Sequence, residues 1–87
     1  MQADKSKTLR MLKTARGQLD GIIKMAEDDR YCIDISQQIS ATEALLRRVN
    51  RDILEAHLRH CVQDAATSQE REEKIREFIS TLERIMK

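Results

Sequence analysis

The side chains best suited to binding a metal ion are two cysteines and two histidines, which fall between residues 32 and 61 of an 87-residue chain. His57 and Cys61 are four residues apart, so on a helix they would project from one face and could bind the same ion. Cys32 precedes His57 by 25 residues, a spacing that returns to within about 20° of that face. The spacing therefore predicts one stripe of sulfur and nitrogen ligands formed by Cys32, His57 and Cys61.

One chain cannot close this site if the three residues share one long helix. Cys32 and Cys61 are 29 residues apart, which corresponds to about 44 Å along a straight helix. Two copies of the helix, packed antiparallel with their centre near Leu45 and Leu46, would bring Cys32 of one chain opposite the Cys61 end of the other. A two-fold axis would then generate two equivalent sites.

The ligand types at such a site suit Cu(I). Two thiolates and one imidazole form a soft set of low coordination number, whereas Zn(II) would need a fourth ligand. His60 points about 100° away from its neighbour Cys61, so it could supply that ligand only by facing a different way. The structural alternative is that each cysteine is merely a small buried hydrophobe.

The sequence offers little that indicates catalysis. The hydroxyls of Ser36, Ser40 and Thr42 lack a clustered base and orienting acid, and the chain has no glycine-rich phosphate loop. We therefore predict that the protein is not an enzyme and takes no small-molecule substrate.

Three helices are expected to position these residues. The chain has no proline, two glycines and 2% aromatic residues, a composition that favours long uninterrupted helices. Periodicity predicts a first helix from about residue 5 to residue 26, and a second from about residue 30 to residue 65 with Asp28 or Asp29 as its N-cap. A capping box at residues 67–70 predicts where a third helix starts. The fold class is therefore all-α.

The apolar positions of the first two helices follow heptad-like spacings. In the first helix they are Leu12, Ala15, Leu19, Ile22 and Ala26. In the second they are Cys32, Ile35, Ile39, Thr42, Leu46, Val49 and Ile53.

Residues 1–87 are predicted to form a single small domain that needs a partner. A chain of this length buries only about 60% of its unfolded surface, and two aromatic residues add little bulk, so we expect an obligate homo-oligomer. The wholly apolar stretches are two or three residues long, far short of the roughly 20 that a membrane span needs. The first ten residues lack the apolar region of a secretion signal. We expect a cytoplasmic protein with no membrane partner.

The formal net charge of +1 hides a basic N-terminal segment. The first 16 residues carry five Lys or Arg and one Asp, and the predicted long helix has Arg47, Arg48 and Arg51 near its centre. In a dimer these arginines would lie near the two-fold axis and could form a positive face for DNA phosphates. The alternative is an ordinary solvated face, since Glu43 and Asp52 lie close by.

Four segments carry a resemblance to a known family: RGQLDGI at 16–22, DRYCIDI at 29–35, QISA at 38–41 and HLRHCV at 57–62. The chain resembles, from about Leu9 to Leu82, the copper-sensitive operon repressor family, CsoR. The resemblance implies three helices per chain, a dimer with an antiparallel four-helix-bundle core, and a tetramer that is a dimer of dimers. It also implies repression of a copper-efflux operon, with release from operator DNA when Cu(I) binds.

The resemblance also implies roles for individual residues. Cys32 matches one ligand of the family site, and His57 and Cys61 match the two ligands from the partner chain. Tyr31 and Glu77 match positions that connect to the imidazole nitrogen not bound to metal. The expected DNA contacts are Arg10, Lys13, Arg16, Arg48 and Arg51. Some copper-sensing relatives carry an arginine at position 11, where this chain has Met11, so the phosphate contact of the first helix is expected to shift to Arg10, Lys13 or Arg16.

Relatives that sense other signals match the chain less well. Nickel and cobalt sensors of the family have an N-terminal histidine and a histidine at position 61, formaldehyde sensors use an N-terminal proline, and persulfide sensors lack the histidine ligand. This chain has no proline, no histidine before residue 57 and a cysteine at position 61, so copper is the expected signal. Two alternatives stay open: a persulfide or thiol-redox sensor of the same family, and a helical scaffold with structural zinc that does not bind DNA.

Overall fold

The computed structural model describes residues 1–85 and confirms the all-α class. Its helices are α1 (Lys5–Glu27), α2 (Cys32–Asp64) and α3 (Ser68–Ile85), and residues 1–85 contain no strand. α2 has 33 residues and carries all four cysteines and histidines, as predicted. No helix within residues 1–85 is both long enough and apolar enough to cross a membrane. The predicted single domain also included residues 86 and 87, which lie outside the described residues.

The turn between α1 and α2 differs from the prediction. Asp28 is the C-cap of α1, and Asp29 has a left-handed backbone with φ 52°. The Asp29 N–H donates to Ala26 O (3.2 Å) and the Arg30 N–H donates to Met25 O (3.0 Å), which is the Schellman pattern that ends a helix. The prediction that Asp28 or Asp29 is the N-cap of α2 was therefore wrong, because both residues belong to the end of α1.

α2 begins two residues after this turn. Its first residue is Cys32, and the Ile35 N–H donates to Tyr31 O at 3.2 Å. Tyr31 therefore occupies the N-cap position, although its side chain does not cap as Asp or Ser would. The consequence for the site is that Cys32 stands in the first turn of α2, directly after an exposed tyrosine.

The start of α3 confirms the predicted capping box, with one shift. The Glu70 N–H donates to Thr67 Oγ1 (3.1 Å), as expected for a threonine N-cap. The Glu70 carboxylate accepts from the Ala66 N–H (2.8 Å), one residue earlier than in the standard box. Both bonds tie the turn after α2 to the first turn of α3.

The chain divides into two compact units, and the first of them comprises Asp4–Arg51. Here α1 packs on the N-terminal part of α2 through a narrow seam of mostly small side chains spaced seven residues apart. The Thr42 hydroxyl also donates to Gln18 Oε1 across the seam at 2.9 Å. The buried residues are Thr8, Ala15 and Ile22 on α1, and Thr42 and Val49 on α2.

The seam uses only part of the predicted apolar pattern. On α1, Leu12 and Leu19 remain 39% and 51% exposed, and on α2, Ile39 and Leu46 remain 42% and 45% exposed. The heptad-like repeat is thus split into a buried stripe and a neighbouring exposed stripe. No large side chain of residues 1–85 is fully buried, and other exposed apolar side chains include Leu9, Ile23 and Ile33.

The second unit contains Met1–Ala3 and the chain from Asp52 onward. α3 has no buried residue. Phe78 and Leu82 are half-buried, whereas Ile75 and Ile79 are 38% and 49% exposed. This unit holds both histidines and Cys61. The residues around those three side chains belong to the same unit.

Candidate functional site

His57 and Cys61 form a ready pair of ligands on one turn of α2. The Cys61 Sγ lies 3.5 Å from His57 Nε2. A metal ion with bonds of about 2.0–2.3 Å to nitrogen and sulfur needs donors about 3.6–3.8 Å apart, so the pair is already close to the spacing that a shared ion requires. The His57 side chain is exposed and Cys61 is half-buried. The predicted pairing of these two residues is therefore present in the helix itself.

A polar cleft of about 420 Å³ surrounds this pair. Asp64 lines it from the end of α2, and Glu70, Glu73 and Lys74 line it from α3. Sequence reasoning did not place these residues near the ligand pair, although Glu70 was predicted as part of the capping box. Asp64 could have been found, because it stands four residues after His60 on the same helix. The full lining is Gln2, His57, His60, Cys61, Asp64, Ala65, Glu70, Glu73 and Lys74.

Cys32 is the exposed first residue of α2, and both cysteines are free thiols. Within residues 1–85, no group of three or more His, Cys, Asp or Glu side chains is arranged to hold a metal ion. The described protomer thus brings two of the predicted ligands together, His57 and Cys61, and leaves a third donor to be supplied.

The two residues predicted to connect to the histidine have different surroundings. Tyr31 is 65% exposed, immediately before α2. Glu77 lies on α3 and pairs with Lys74 (Nζ to Oε2, 3.8 Å), and Lys74 in turn lines the cleft around His57. The cleft lining does not include Glu77 itself. The roles of both residues stay predictions.

The residues predicted to contact DNA are exposed, and they form no ion pair within residues 1–85. Arg10 and Lys13 border a shallow depression on α1. Arg47, by contrast, pairs with Glu43 one turn earlier (3.6 Å). None of the following exposed side chains has an acidic partner within residues 1–85: Arg10, Lys13, Arg16, Arg48 and Arg51.

Comparison with known proteins decides the family. Residues 4–84 match the family described as metal-sensitive transcriptional repressors. The chain belongs to this family. The match spans α1, α2 and nearly all of α3, so the metal-sensitive repressor family accounts for the whole three-helix arrangement, and the resemblance found in the sequence is confirmed.

Two relatives within the metal-sensitive repressor family are copper sensors. The copper-sensing transcriptional repressor CsoR of Mycobacterium tuberculosis is 42% identical over 82 residues, which are 94% of this chain and 69% of the relative. CsoR of Bacillus subtilis is 40% identical over 84 residues, which are 97% of this chain and 83% of the relative.

Two solved structures of metal-responsive transcriptional regulators have the same fold. The copper-sensing repressor CsoR with Cu(I) from Geobacillus thermodenitrificans superimposes with a TM-score of 0.83 at 39% identity, over 100% of this chain and 94% of that one. The nickel-responsive regulator InrS superimposes with a TM-score of 0.80 at 28% identity, over 97% of this chain and 94% of that one. One fold thus serves sensors of different metals, and the choice of metal must come from the ligands.

Proposed function

We propose that this metal-sensitive repressor responds to Cu(I). It binds operator DNA in its metal-free form and leaves the DNA when Cu(I) binds, which allows expression of copper-efflux genes. The observation that carries the proposal is the His57 Nε2 to Cys61 Sγ distance of 3.5 Å. A thiolate beside an imidazole is a soft donor pair of the kind that Cu(I) accepts.

The third ligand comes from a second protomer in this proposal. Cys32 stands exposed at the start of α2, whereas His57 and Cys61 stand near its end. Between them, Ile39 and Leu46 continue the exposed stripe of α2 at seven-residue spacing from Cys32. Antiparallel pairing of two α2 helices through this stripe would bury its apolar side chains and bring Cys32 to the partner's ligand pair. Bound Cu(I) would join soft donors from both chains.

The dimer is proposed to be an antiparallel four-helix bundle that pairs into a tetramer. The exposed apolar side chains of α1 support this arrangement, because Leu12 and Leu19 lie beside the α1–α2 seam without being covered. Covering them would add the core that the described chain lacks.

Tyr31 and Glu77 are proposed to relay the state of His57. A phenol or a carboxylate that accepts from the second imidazole N–H fixes the ring orientation of a metal-binding histidine. Glu77 now pairs with Lys74, whose side chain reaches the cleft. Exchange of that partner for the His57 N–H would move the first half of α3 relative to the end of α2.

Operator phosphates are the proposed partners of the cationic side chains on α1 and α2. Exposed cations without an acidic partner release counterions when they meet phosphate, and this release favours binding. The protein would act in the cytoplasm, where operator DNA is found, and it would have no enzymatic activity. The residues are Arg10, Lys13, Arg16, Arg48 and Arg51.

The proposal is tested by operator release measured with several signals side by side. The DNA is a duplex that the metal-free protein selects from a random-sequence pool, and the signals are Cu(I) under strict reduction, Zn(II), Ni(II) and a persulfide donor. We expect Cu(I) alone to lower DNA affinity at one equivalent per protomer. The readout is fluorescence anisotropy of the labelled duplex.

Each other outcome would contradict the proposal in a recognisable way. Release by the persulfide donor, with mass added at both cysteines, would identify a thiol sensor, since both thiols are free. Failure to select any duplex at low salt, together with tight Zn(II) binding, would identify a helical scaffold with structural zinc.

A further inference from the structure

The seam between α1 and α2 is poorly suited to fixing its own register. Its buried members repeat every seven residues, and all of them except Ile22 are alanine, threonine or valine. A stripe with this period presents a similar apolar surface after a slip along the axis, because alanine, threonine and valine lack the distinctive shapes that lock a core. Apolar burial in the seam therefore specifies the alignment of α1 on α2 only weakly.

Besides the hydrogen-bonded turn after α1, one polar contact specifies the alignment. Thr42 is 92% buried, with a relative exposure of 8%, and its Oγ1 donates to Gln18 Oε1 at 2.9 Å. The same hydroxyl lies 3.2 Å from Gln38 O, one turn earlier on α2, which is a competing acceptor because a hydroxyl has one proton to donate. Within residues 1–85 this is the one side-chain hydrogen bond that joins two helices. A slip of one seven-residue repeat would move the partners about 10.5 Å apart, so the cross-helix bond would be lost and the hydroxyl could donate only to Gln38 O.

The register of α1 on α2 determines the spacing of two sets of cations. Arg16 is two residues before Gln18 on α1, and Arg48 and Arg51 are six and nine residues after Thr42 on α2. Successive phosphates of one DNA strand are about 3.4 Å apart along the axis, so a slip of one repeat would move the cations of α1 past about three phosphates relative to those of α2. The set of phosphates that the two helices contact together therefore depends on the register.

We propose that the Gln18–Thr42 hydrogen bond sets the axial register of α1 on α2 and so positions the cations of both helices for operator phosphates. This inference rests on the proposed DNA-binding function and adds two positioning residues to it. Neither residue needs to touch DNA. A single buried polar pair is known to fix register in helical interfaces. Here the register would determine which phosphates the cations of α1 and α2 can contact together.

The test compares Thr42→Val with two controls in the full-length chain. Valine keeps the shape of threonine and removes the hydroxyl, whereas Thr42→Ser keeps the hydroxyl. Thr8→Val is the matched control, because Thr8 is 7% exposed in the same seam and has no side-chain hydrogen bond to α2. For each variant, affinity for the selected duplex is measured by anisotropy from 50 to 300 mM salt, and folding is checked by circular dichroism and a urea titration.

We expect Thr42→Val to bind the duplex about tenfold more weakly, with a salt dependence shallower by about one or two phosphate contacts. Thr42→Ser and Thr8→Val should stay within about twofold of the wild type in affinity and keep its salt dependence. A merely structural effect would lower the urea midpoint without changing the number of phosphate contacts in the folded fraction.

Gln18→Met removes the acceptor from an exposed position and serves if Thr42→Val folds poorly. It should reproduce the loss, and the double variant should bind no more than about twofold more weakly than either single variant, since both remove one interaction. If the wild type binds the duplex and both single variants keep its affinity and salt dependence, the positioning role is wrong. If the wild type selects no duplex, the proposed DNA-binding function is wrong, and the positioning role fails with it.

Discussion

His57→Ala should lower the affinity for Cu(I) by at least about 100-fold and abolish release from DNA at Cu(I) concentrations that saturate the wild type. Loss of an outer partner of a metal ligand alone typically costs 10-fold to 100-fold, and His57 is a proposed ligand with Nε2 3.5 Å from the Cys61 Sγ. The imidazole is exposed, so its removal opens no cavity and should leave folding and DNA affinity of the metal-free protein unchanged. Competition with a chromophoric Cu(I) chelator gives the affinity, and anisotropy gives the release.

His60→Ala is the matched control for this change. His60 is also exposed, lies on the same helix and lines the same cleft, but it stands about 100° around the helix from Cys61. We expect its replacement to change Cu(I) affinity by less than about threefold. Full retention of Cu(I)-dependent release by His57→Ala would refute the proposed switch, and an equal loss in both variants would assign the effect to the cleft and not to one ligand.

The double replacement Arg48→Ala/Arg51→Ala should weaken DNA binding about 100-fold near 0.15 M salt. Both side chains are exposed without an ion-pair partner in the described residues, and a dimer would lose four cations. Each phosphate contact contributes about 0.9 to the slope of log affinity against log salt, so the slope should become shallower by up to about 3.6. A titration of the selected duplex at several salt concentrations measures both quantities, while Cu(I) affinity should not change.

Arg47→Ala provides the comparison, because Arg47 is adjacent in sequence but already pairs with Glu43 at 3.6 Å. Its removal should reduce DNA affinity by no more than about twofold or threefold. Equal losses from Arg47→Ala and from the double variant would indicate a general effect of net charge. No loss from the double variant would place the DNA-binding face elsewhere on the chain.

The elements of the fold could be predicted from local physical rules. The absence of proline, the apolar spacing and the capping box at 67–70 placed both ends of α1 and α2, and the start of α3, within two residues of those observed. The error at Asp28 and Asp29 has a local cause. Asp is common both at helix N-caps and in left-handed C-terminal turns, and the sequence alone does not distinguish the two.

The face of each helix that becomes buried was harder to predict. Leu12 and Leu19 were expected in the seam but are exposed, whereas Thr8 is buried. A heptad-like pattern is typical of helices that pack within one chain and of helices that pack between chains. The pattern does not show which apolar stripe contacts the neighbouring helix and which would contact a further chain. The small polar Thr8 and Thr42 lie in the closer contact because their size lets two helices approach.

The candidate site likewise has a part that the sequence could predict and a part that it could not. The His57–Cys61 pair follows from four-residue spacing on one helix, so the sequence was sufficient to predict it. Glu73 and Lys74 reach the cleft from α3, and that contact depends on how α3 packs, which no spacing rule supplies. The contribution of Cys32 depends on a second chain and stays a prediction.

The shared site is tested most directly by mixing two defective variants. Cys32→Ala and Cys61→Ala protomers should each fail to bind Cu(I) tightly when alone. If they are unfolded together, refolded in equal amounts and titrated with Cu(I) against a chelator, random pairing makes about half of the dimers mixed, and each mixed dimer has one intact site. A site shared between protomers therefore predicts tight binding at about one quarter of the wild-type capacity.

A mixture of His57→Ala and Cys61→Ala, whose defects lie at the same end of the site, should show no recovery. Absence of tight binding in the first mixture, or equal recovery in both, would contradict a site built from Cys32 of one protomer and His57 and Cys61 of another.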